Sequence, residues 1–145
     1  MKIIKTSSDN WKDLKKVRIQ SLRESPESFG ASLSNTLGLE EQDWRKASSS
    51  NEGLVFFLAY INQEPVGMIG LARKEELISM WVSPDFRNKS IGSALVNAVK
   101  EHSCKNSYAR VILKVEPTNL EIKNYYRRHG FIEIEGTKNA MFWQS

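Results

Sequence analysis

The chain has 145 residues, a net charge of +4 and 40% hydrophobic residues, the size and balance of one folded domain rather than of a disordered segment. Its single cysteine excludes an intramolecular disulfide, and together with two histidines it offers no zinc-site spacing, so no metal is expected. The longest apolar run, residues 54–61, is too short to span a bilayer, and the charged residues are interspersed, so we expect a cytoplasmic protein of one domain, residues 1–145, without a membrane or nucleic-acid partner.

The first part of the chain predicts one strand and two helices. After a short strand, apolar residues recur at helical spacing in a segment that Asp9 or Asn10 can cap. Pro26 disfavours helix at the residue before it, so this helix should end near residue 25, and residues 26–37 are expected to be irregular. The predicted elements are a strand over residues 2–6, a helix over 11–25 and a helix over 39–47.

From residue 54 onwards, the pattern changes to short apolar runs and alternation, which are typical of strands. The predicted elements are strands over 54–61, 65–73 and 77–82, a helix over 90–103, a strand over 109–115, a helix over 119–129, and strands over 131–135 and 140–143. The resulting order, β-α-α-β-β-β-α-β-α-β-β, predicts an α/β fold with one mixed central sheet. The strand–helix–strand unit over residues 77–115 should be a parallel crossover.

A helix that begins directly after a basic turn, in residues 82–95, is the most informative feature. The first turn of a helix has unpaired N–H groups and the positive end of the helix dipole, which together favour an anion. Gly92 would let a ligand approach the backbone, and Arg87 and Lys89 add positive charge. The segment therefore predicts a phosphate or pyrophosphate site, although a plain strand-to-helix connection explains the same residues.

The same segment resembles the acetyl-coenzyme A signature of the GNAT superfamily, R/Q-x-x-G-x-G/A after the fourth strand. Arg87 matches its first position and Gly92 its last, while Ser90 stands where the family usually has glycine. A serine held at positive φ there would be strained by about 1–2 kcal/mol, and its hydroxyl would either cap the helix or donate to a phosphate. The resemblance implies acetyl-coenzyme A as co-substrate, contacted by Arg87, Asn88, Lys89, Ser90, Ile91, Gly92 and Ser93.

Two further features are similar to this family. Its fourth strand splays from the fifth and pairs with the pantetheine arm, which implies backbone contacts from Met80, Trp81 and Val82. Its second motif has an asparagine, a tyrosine seven residues later and a Gly-Phe pair, as do Asn119, Tyr126 and residues 130–131.

Asn119 and Tyr126 are about two helical turns apart and therefore lie on one helix face. The resemblance makes both of them cofactor contacts and makes Tyr126 the general acid that protonates the departing thiolate. For Tyr126 alone, a packed position in the core is the alternative.

The implied reaction is the direct attack of a primary amine on the acetyl thioester. The amine must first lose a proton, for which Glu75 and Glu76 are candidate bases, as is Glu116, with a charged surface turn as the alternative for each. The backbone N–H of Val82 is expected to stabilise the charged oxygen of the tetrahedral intermediate. Cys104 suggests a covalent acyl-enzyme only weakly, and direct transfer needs none.

The amine acceptor, a small molecule or a protein amine, is not identified by any of these residues. Residues 25–37 are expected to border its site, with Phe29 lining a pocket and Glu24 and Glu27 attracting a cationic amine. The alternatives are a plug over the core for Phe29 and a solvated turn for the glutamates. A non-catalytic acyl-coenzyme A-binding module is the alternative function, and a homodimer is left open.

Overall fold

The computed structural model describes residues 1–25, 32–51 and 53–145. Phe29 and Glu27, which were predicted to border the acceptor site, lie outside the described residues. No helix in the described part of the chain is both long and apolar enough to cross a bilayer. The elements are β1 Lys2–Lys5, α1 Trp11–Glu24, α2 Leu33–Leu37, α3 Glu41–Ser48, β2 Leu54–Ile61, β3 Glu64–Ala72, β4 Glu76–Val82, α4 Ile91–Lys105, β5 Val111–Lys114, α5 Leu120–Arg128, β6 Ile132–Glu133 and β7 Ala140–Trp143.

Three local expectations are wrong. Part of the segment predicted to be irregular forms α2, because the Ser32 side chain accepts a hydrogen bond from the Asn35 N–H and so caps the helix. The Asn10 side chain does not cap α1; instead it pairs with Ser7 in the capping box of a short 3₁₀ turn. The strand predicted over 131–135 is only the two residues of β6.

A seven-stranded sheet forms the centre of the fold, in the order β1-β2-β3-β4-β5-β7-β6. Its neighbours pair antiparallel except for β4 and β5, which are parallel as the crossover from β4 through α4 predicts. The observed sheet therefore confirms the mixed α/β class, and α2 is the addition to the predicted element order.

Each face of the sheet carries its own hydrophobic layer, because successive residues of a strand point to opposite faces. The layer under α1 and α3 contains Leu14, Val17, Trp44, Phe56, Leu58, Met68 and Trp81. The layer under α4 and α5 contains, among others, Phe57, Ile69, Val82, Leu95, Val99, Tyr126 and Phe131. The end of β4 contributes to both layers, so it is held from both sides.

A bulge bends β4 away from β5. Ser79 and Met80 together oppose a single residue of β3, Ile69, and Ser79 adopts a φ of 56°. The only register pair that joins β4 to β5 among the described residues is Glu76 with Ile112. From residue 77 to its end, the edge of β4 that faces β5 is therefore open, which is the splay that the resemblance implied.

Candidate active site

The open edge of β4 leads through a tight loop to the first turn of α4. Asn88 and Ser90 in this loop have φ values of 62° and 63°, in the left-handed region. Ser90 directly precedes the helix, and its hydroxyl makes no capping hydrogen bond. Of the two uses predicted for this hydroxyl, capping is therefore wrong. The N–H groups at the start of α4 receive no cap from this side chain and remain available to an anion.

Replacing Ser90 with glycine should stabilise the protein. The left-handed conformation costs a non-glycine residue about 1–2 kcal/mol, a cost that glycine avoids. Against this, glycine lowers the stability of the folded protein by roughly 0.5–1 kcal/mol, because it raises the conformational entropy of the unfolded chain. We expect Ser90→Gly to raise the free energy of unfolding by about 0.5–1 kcal/mol and Tm by a few degrees in thermal melts. Ser83→Gly is the matched control: Ser83 has a φ of −53°, so that variant should lose stability. A Ser90→Gly protein that melts at a lower temperature would contradict the strain.

The Arg87 side chain is partly exposed, and its guanidinium is bound to two other parts of the protein. Its Nε donates to the Val82 carbonyl oxygen at 2.8 Å, and a terminal guanidinium nitrogen contacts Glu24 Oε1 at 2.5 Å. Trp81 Nε1 donates to the same Glu24 oxygen at 2.9 Å. The network joins the end of α1 to the loop before α4. Arg87 balances much of the charge of Glu24, and the attraction of an amine by this carboxylate stays a prediction.

The hydrogen bond from Trp81 and those from Arg87 and Ser25 hold the pKa of Glu24 below its ordinary value of 4.5. A carboxyl whose folded pKa is depressed stabilises the protein above its unfolded pKa, and this contribution is lost as the pH falls through the folded value. We expect Glu24→Gln to have a lower Tm than the natural protein at pH 7, and this difference to disappear as the pH falls from 4.5 towards the lower folded value. Thermal melts of both proteins across that range test this, and a difference independent of pH would contradict it.

The space over Gly92 is filled by two side chains. A Cβ added at this residue would lie 2.6 Å from Tyr125 Oη and 2.8 Å from Met80 Cε. Glycine is therefore needed here so that Tyr125 and Met80 can pack against the helix. The sequence had instead predicted that Gly92 leaves space for a ligand. The Tyr125 phenol reaches from α5 to the first turn of α4, next to the open part of β4.

Asn119 directly precedes α5 and is exposed, whereas Tyr126 is buried within the helix, so their shared face stays a prediction. Asn119 accepts a hydrogen bond from the Ile122 N–H at 3.1 Å and so caps α5. Tyr126 is 7% exposed and packs edge-on against Phe131 with 5.5 Å between the ring centroids. Burial, and to a lesser extent Tyr125, raises the pKa of Tyr126, so the phenol keeps its proton at neutral pH. The ring is thus part of the core, and its role as a general acid stays a prediction.

The candidate bases Glu75 and Glu76 do not lie near the loop that precedes α4. Glu75 pairs with Arg110 at 3.2 Å and Glu76 pairs with Arg73, both at the start of β4. Six residues of extended strand, about 20 Å, separate Glu76 from Val82. A direct proton transfer from an amine bound at Val82 to Glu76 is therefore not possible in this arrangement.

The structure brings three residues to the first turns of α4 that sequence reasoning did not combine. The rings of Tyr125 and His129 pack against each other with 4.8 Å between their centroids and 39° between their planes, and Ser93 Oγ lies 3.4 Å from His129 Nε2. Burial raises the pKa of the Tyr125 phenol. A hydrogen bond with the Ser93 hydroxyl lowers this pKa to a smaller extent. The four-residue spacing of Tyr125 and His129 was the available signal, since it places them on one helix face.

On the opposite side of β4, α1 contributes a guanidinium. Arg18 donates to Ser79 Oγ at 2.9 Å, directly at the bulge, and burial lowers its pKa. A cleft of about 370 Å³ lies nearby between the end of α1 and the end of β4. It is lined by Gln20, Arg23, Glu24, Trp81, Ser83 and Pro84.

Comparison with solved structures identifies the fold. The PaiA N-acetyltransferase of Thermoplasma acidophilum, solved in complex with coenzyme A, superposes with a TM-score of 0.75 over all of both chains. The two sequences are 19% identical, so this likeness shows the fold alone.

Two relatives are similar in sequence. An uncharacterised N-acetyltransferase of Methanocaldococcus jannaschii is 33% identical over an alignment of 93 residues that covers 57% of this chain and 41% of that protein. Streptothricin acetyltransferase A of Bacillus subtilis is 27% identical over an alignment of 100 residues that covers 64% of this chain and 56% of that protein. The alignments thus span about half the length of these two relatives.

The Acetyltransferase (GNAT) family profile matches residues 18–131, from within α1 to the residue that follows Gly130. This range includes the open edge of β4, the loop before α4 and all of α5. A match over this much of the chain shows that it belongs to the GNAT family of acetyltransferases.

Proposed function

We propose that the protein is an N-acetyltransferase that uses acetyl-coenzyme A and transfers the acetyl group by direct attack of a primary amine on the thioester. The observation that most supports this proposal is that the open edge of β4 ends next to the start of α4, whose N–H groups receive no cap from the Ser90 side chain. The edge of β4 after Glu76 has backbone groups for an extended pantetheine arm, and it ends next to the first turn of α4, where a pyrophosphate is favoured. The coenzyme A bound to the Thermoplasma relative supports this choice of ligand.

In this proposal, backbone groups make most of the contacts to the cofactor. The N–H groups at the start of α4 hold the pyrophosphate, and Lys89, which is exposed, adds charge at the mouth of the site. Met80, Trp81 and Val82 pair with the pantetheine arm through backbone groups. Because Arg87 is held by Glu24, its contribution is to fix the loop geometry through the Val82 carbonyl.

The chemical steps are assigned to two groups. The Val82 N–H stabilises the oxygen that becomes charged when the amine adds to the thioester. Tyr126, whose place in the sequence resembles that of the family's general acid and whose phenol is protonated at neutral pH, protonates the thiolate of coenzyme A as it leaves. The amine loses its proton to ordered water or to Glu116, which follows β5 at the sheet edge where β4 also ends. Glu75 and Glu76 take no part in this step, because they lie at the start of β4, about 20 Å from Val82.

The acceptor is proposed to enter from the α1 side, through the cleft beside Trp81, while the cofactor lies on the α4 side. The splayed end of β4 is the part of the sheet that both sides share. The similarity to streptothricin acetyltransferase puts basic antibiotics among the acceptors worth testing, together with polyamines, lysine and peptide N-termini.

Two measurements test the proposal. Calorimetry with acetyl-coenzyme A should show one site per chain, and a screen for release of coenzyme A over that amine panel should find at least one acceptor. Binding without turnover on any amine would favour the alternative of a non-catalytic acyl-coenzyme A-binding module. A protein that does not bind acetyl-coenzyme A would overturn the proposal.

A further inference from the structure

The cleft beside Trp81, through which the acceptor is proposed to enter, has a charge that the mechanism above does not use. The cleft lies between the end of α1 and the end of β4, and its volume of about 370 Å³ is that of a pocket for a small molecule. Of the residues that the structure describes, two charged ones line it, Arg23 and Glu24. Their side chains have opposite charges, so their other contacts decide which charge is left for a ligand.

The carboxylate of Glu24 is already engaged within the protein. Its Oε1 accepts a hydrogen bond from Trp81 Nε1 at 2.9 Å and contacts the Arg87 guanidinium at 2.5 Å, while its Oε2 accepts from the Ser25 hydroxyl at 2.9 Å. Arg23 is exposed, and its guanidinium pairs with no residue that the structure describes. The charge that the lining of the cleft offers to a ligand is therefore positive.

A second guanidinium lies on the same side of β4. Arg18 comes from α1, one and a half helical turns before Arg23, and it donates to Ser79 Oγ at 2.9 Å. It is partly buried, so solvent screens its charge less than that of an exposed arginine. Within the described part of the chain, Arg18, Arg23 and Arg87 thus accompany the one carboxylate of Glu24 at this end of α1. Such a field raises the local concentration of an anionic substrate.

Positive surroundings also favour the proposed reaction. The attacking amine must be neutral, and a lysine-like amine has an ordinary pKa of about 10.4. Nearby positive charges disfavour the ammonium form, so the bound amine gives its proton more readily to water or to Glu116. A polyamine would meet repulsion at each of its other ammonium groups, whereas a carboxylate on the acceptor would offset the repulsion by pairing with a guanidinium.

We propose that the acceptor is an amine that also carries a carboxylate, as an α-amino acid does, and that Arg23 selects it by pairing with this carboxylate. This inference rests on the proposed function and names the substrate class of the same site. A guanidinium can bind both oxygens of a carboxylate with two parallel hydrogen bonds, which gives Arg23 a geometric preference as well as an electrostatic one. Arg18 contributes to selection through its charge.

The release of coenzyme A with acceptors that differ in charge tests the inference. L-amino acids are compared with their carboxamides, which keep the amine and the side chain but lack the carboxylate, and putrescine serves as a dication. The natural protein should have a higher kcat/KM with the acids than with the amides. Arg23→Gln should lower kcat/KM for the acids by about 10-fold, through a higher KM, and change it for the amides by less than about two-fold. Arg23→Glu should reverse the preference in favour of putrescine.

Lys12→Gln is the matched control. Lys12 is also an exposed cation of α1, but it lies 11 residues before Arg23, about 16 Å along the helix axis, so its loss should leave the preference unchanged. Thermal melts establish that each variant is folded, and calorimetry with acetyl-coenzyme A should give the same Kd for all of them.

The possible failures can be told apart. A natural protein that prefers amides or putrescine to the acids would overturn the inference while leaving the acetyltransferase in place. A folded Arg23→Gln protein that keeps the full preference for acids would overturn it too, as would an equal loss in Lys12→Gln. If no amine of any charge releases coenzyme A, the proposed function fails, and this inference fails with it.

Discussion

Tyr126→Phe should lower kcat by about 10²–10⁴-fold while the Kd for acetyl-coenzyme A stays within a factor of about two. The substitution removes only the hydroxyl, and the ring that packs against Phe131 in the core is kept. Without a proton donor, the thiolate must leave as a charged group, which is a poorer leaving group than the thiol. Steady-state kinetics with the acceptor found in the amine screen, together with calorimetry, measure the two quantities separately.

The neighbouring tyrosine sharpens this experiment. The Tyr125 hydroxyl lies against Gly92 at the proposed pyrophosphate site, so Tyr125→Phe should raise the Kd for the cofactor and leave the chemical step alone, whereas Tyr126→Phe should do the reverse. Tyr108→Phe controls for the loss of a phenol elsewhere on the molecule. Full turnover by a folded Tyr126→Phe protein would show that water or another group protonates the thiolate.

Gly92→Trp should weaken acetyl-coenzyme A binding by at least about 100-fold, the loss expected when an anion loses two backbone donors that each contribute about 1.5 kcal/mol. An indole at the second residue of α4 covers the N–H groups of the first turn. It also displaces Tyr125 Oη and Met80 Cε, which lie 2.6 and 2.8 Å from the position of the new Cβ. Calorimetry measures the loss, and a thermal melt shows whether the variant is folded.

Gly92→Ala serves as the graded control. Its single methyl group meets only the ends of two side chains, which can shift by rotation, and it leaves the backbone donors uncovered. We expect a loss of affinity below about 10-fold for this variant. A folded Gly92→Trp protein with unchanged affinity for acetyl-coenzyme A would contradict the placement of the pyrophosphate at the start of α4.

The sequence by itself determined the element types and the class of the fold. Hydrophobic spacing depends on the local geometry of helices and strands, so it identified the meander of β2, β3 and β4, the crossover through α4 and the stripe of α5. It could not predict α2, which depends on a serine cap rather than on apolar spacing. The matched positions Arg87, Gly92, Asn119 and Tyr126 were enough to identify the family before any contact was known.

Which side chains meet at the site was decided only by the tertiary structure. Tyr125 and Tyr126 are adjacent in sequence, yet the turn of the helix directs one to Gly92 and the other into the core beside Phe131. The pairing of Glu24 with Arg87 joins residues 63 positions apart. Both outcomes follow from the packing of α1 and α5 against the sheet, an arrangement of distant segments that local spacing does not encode.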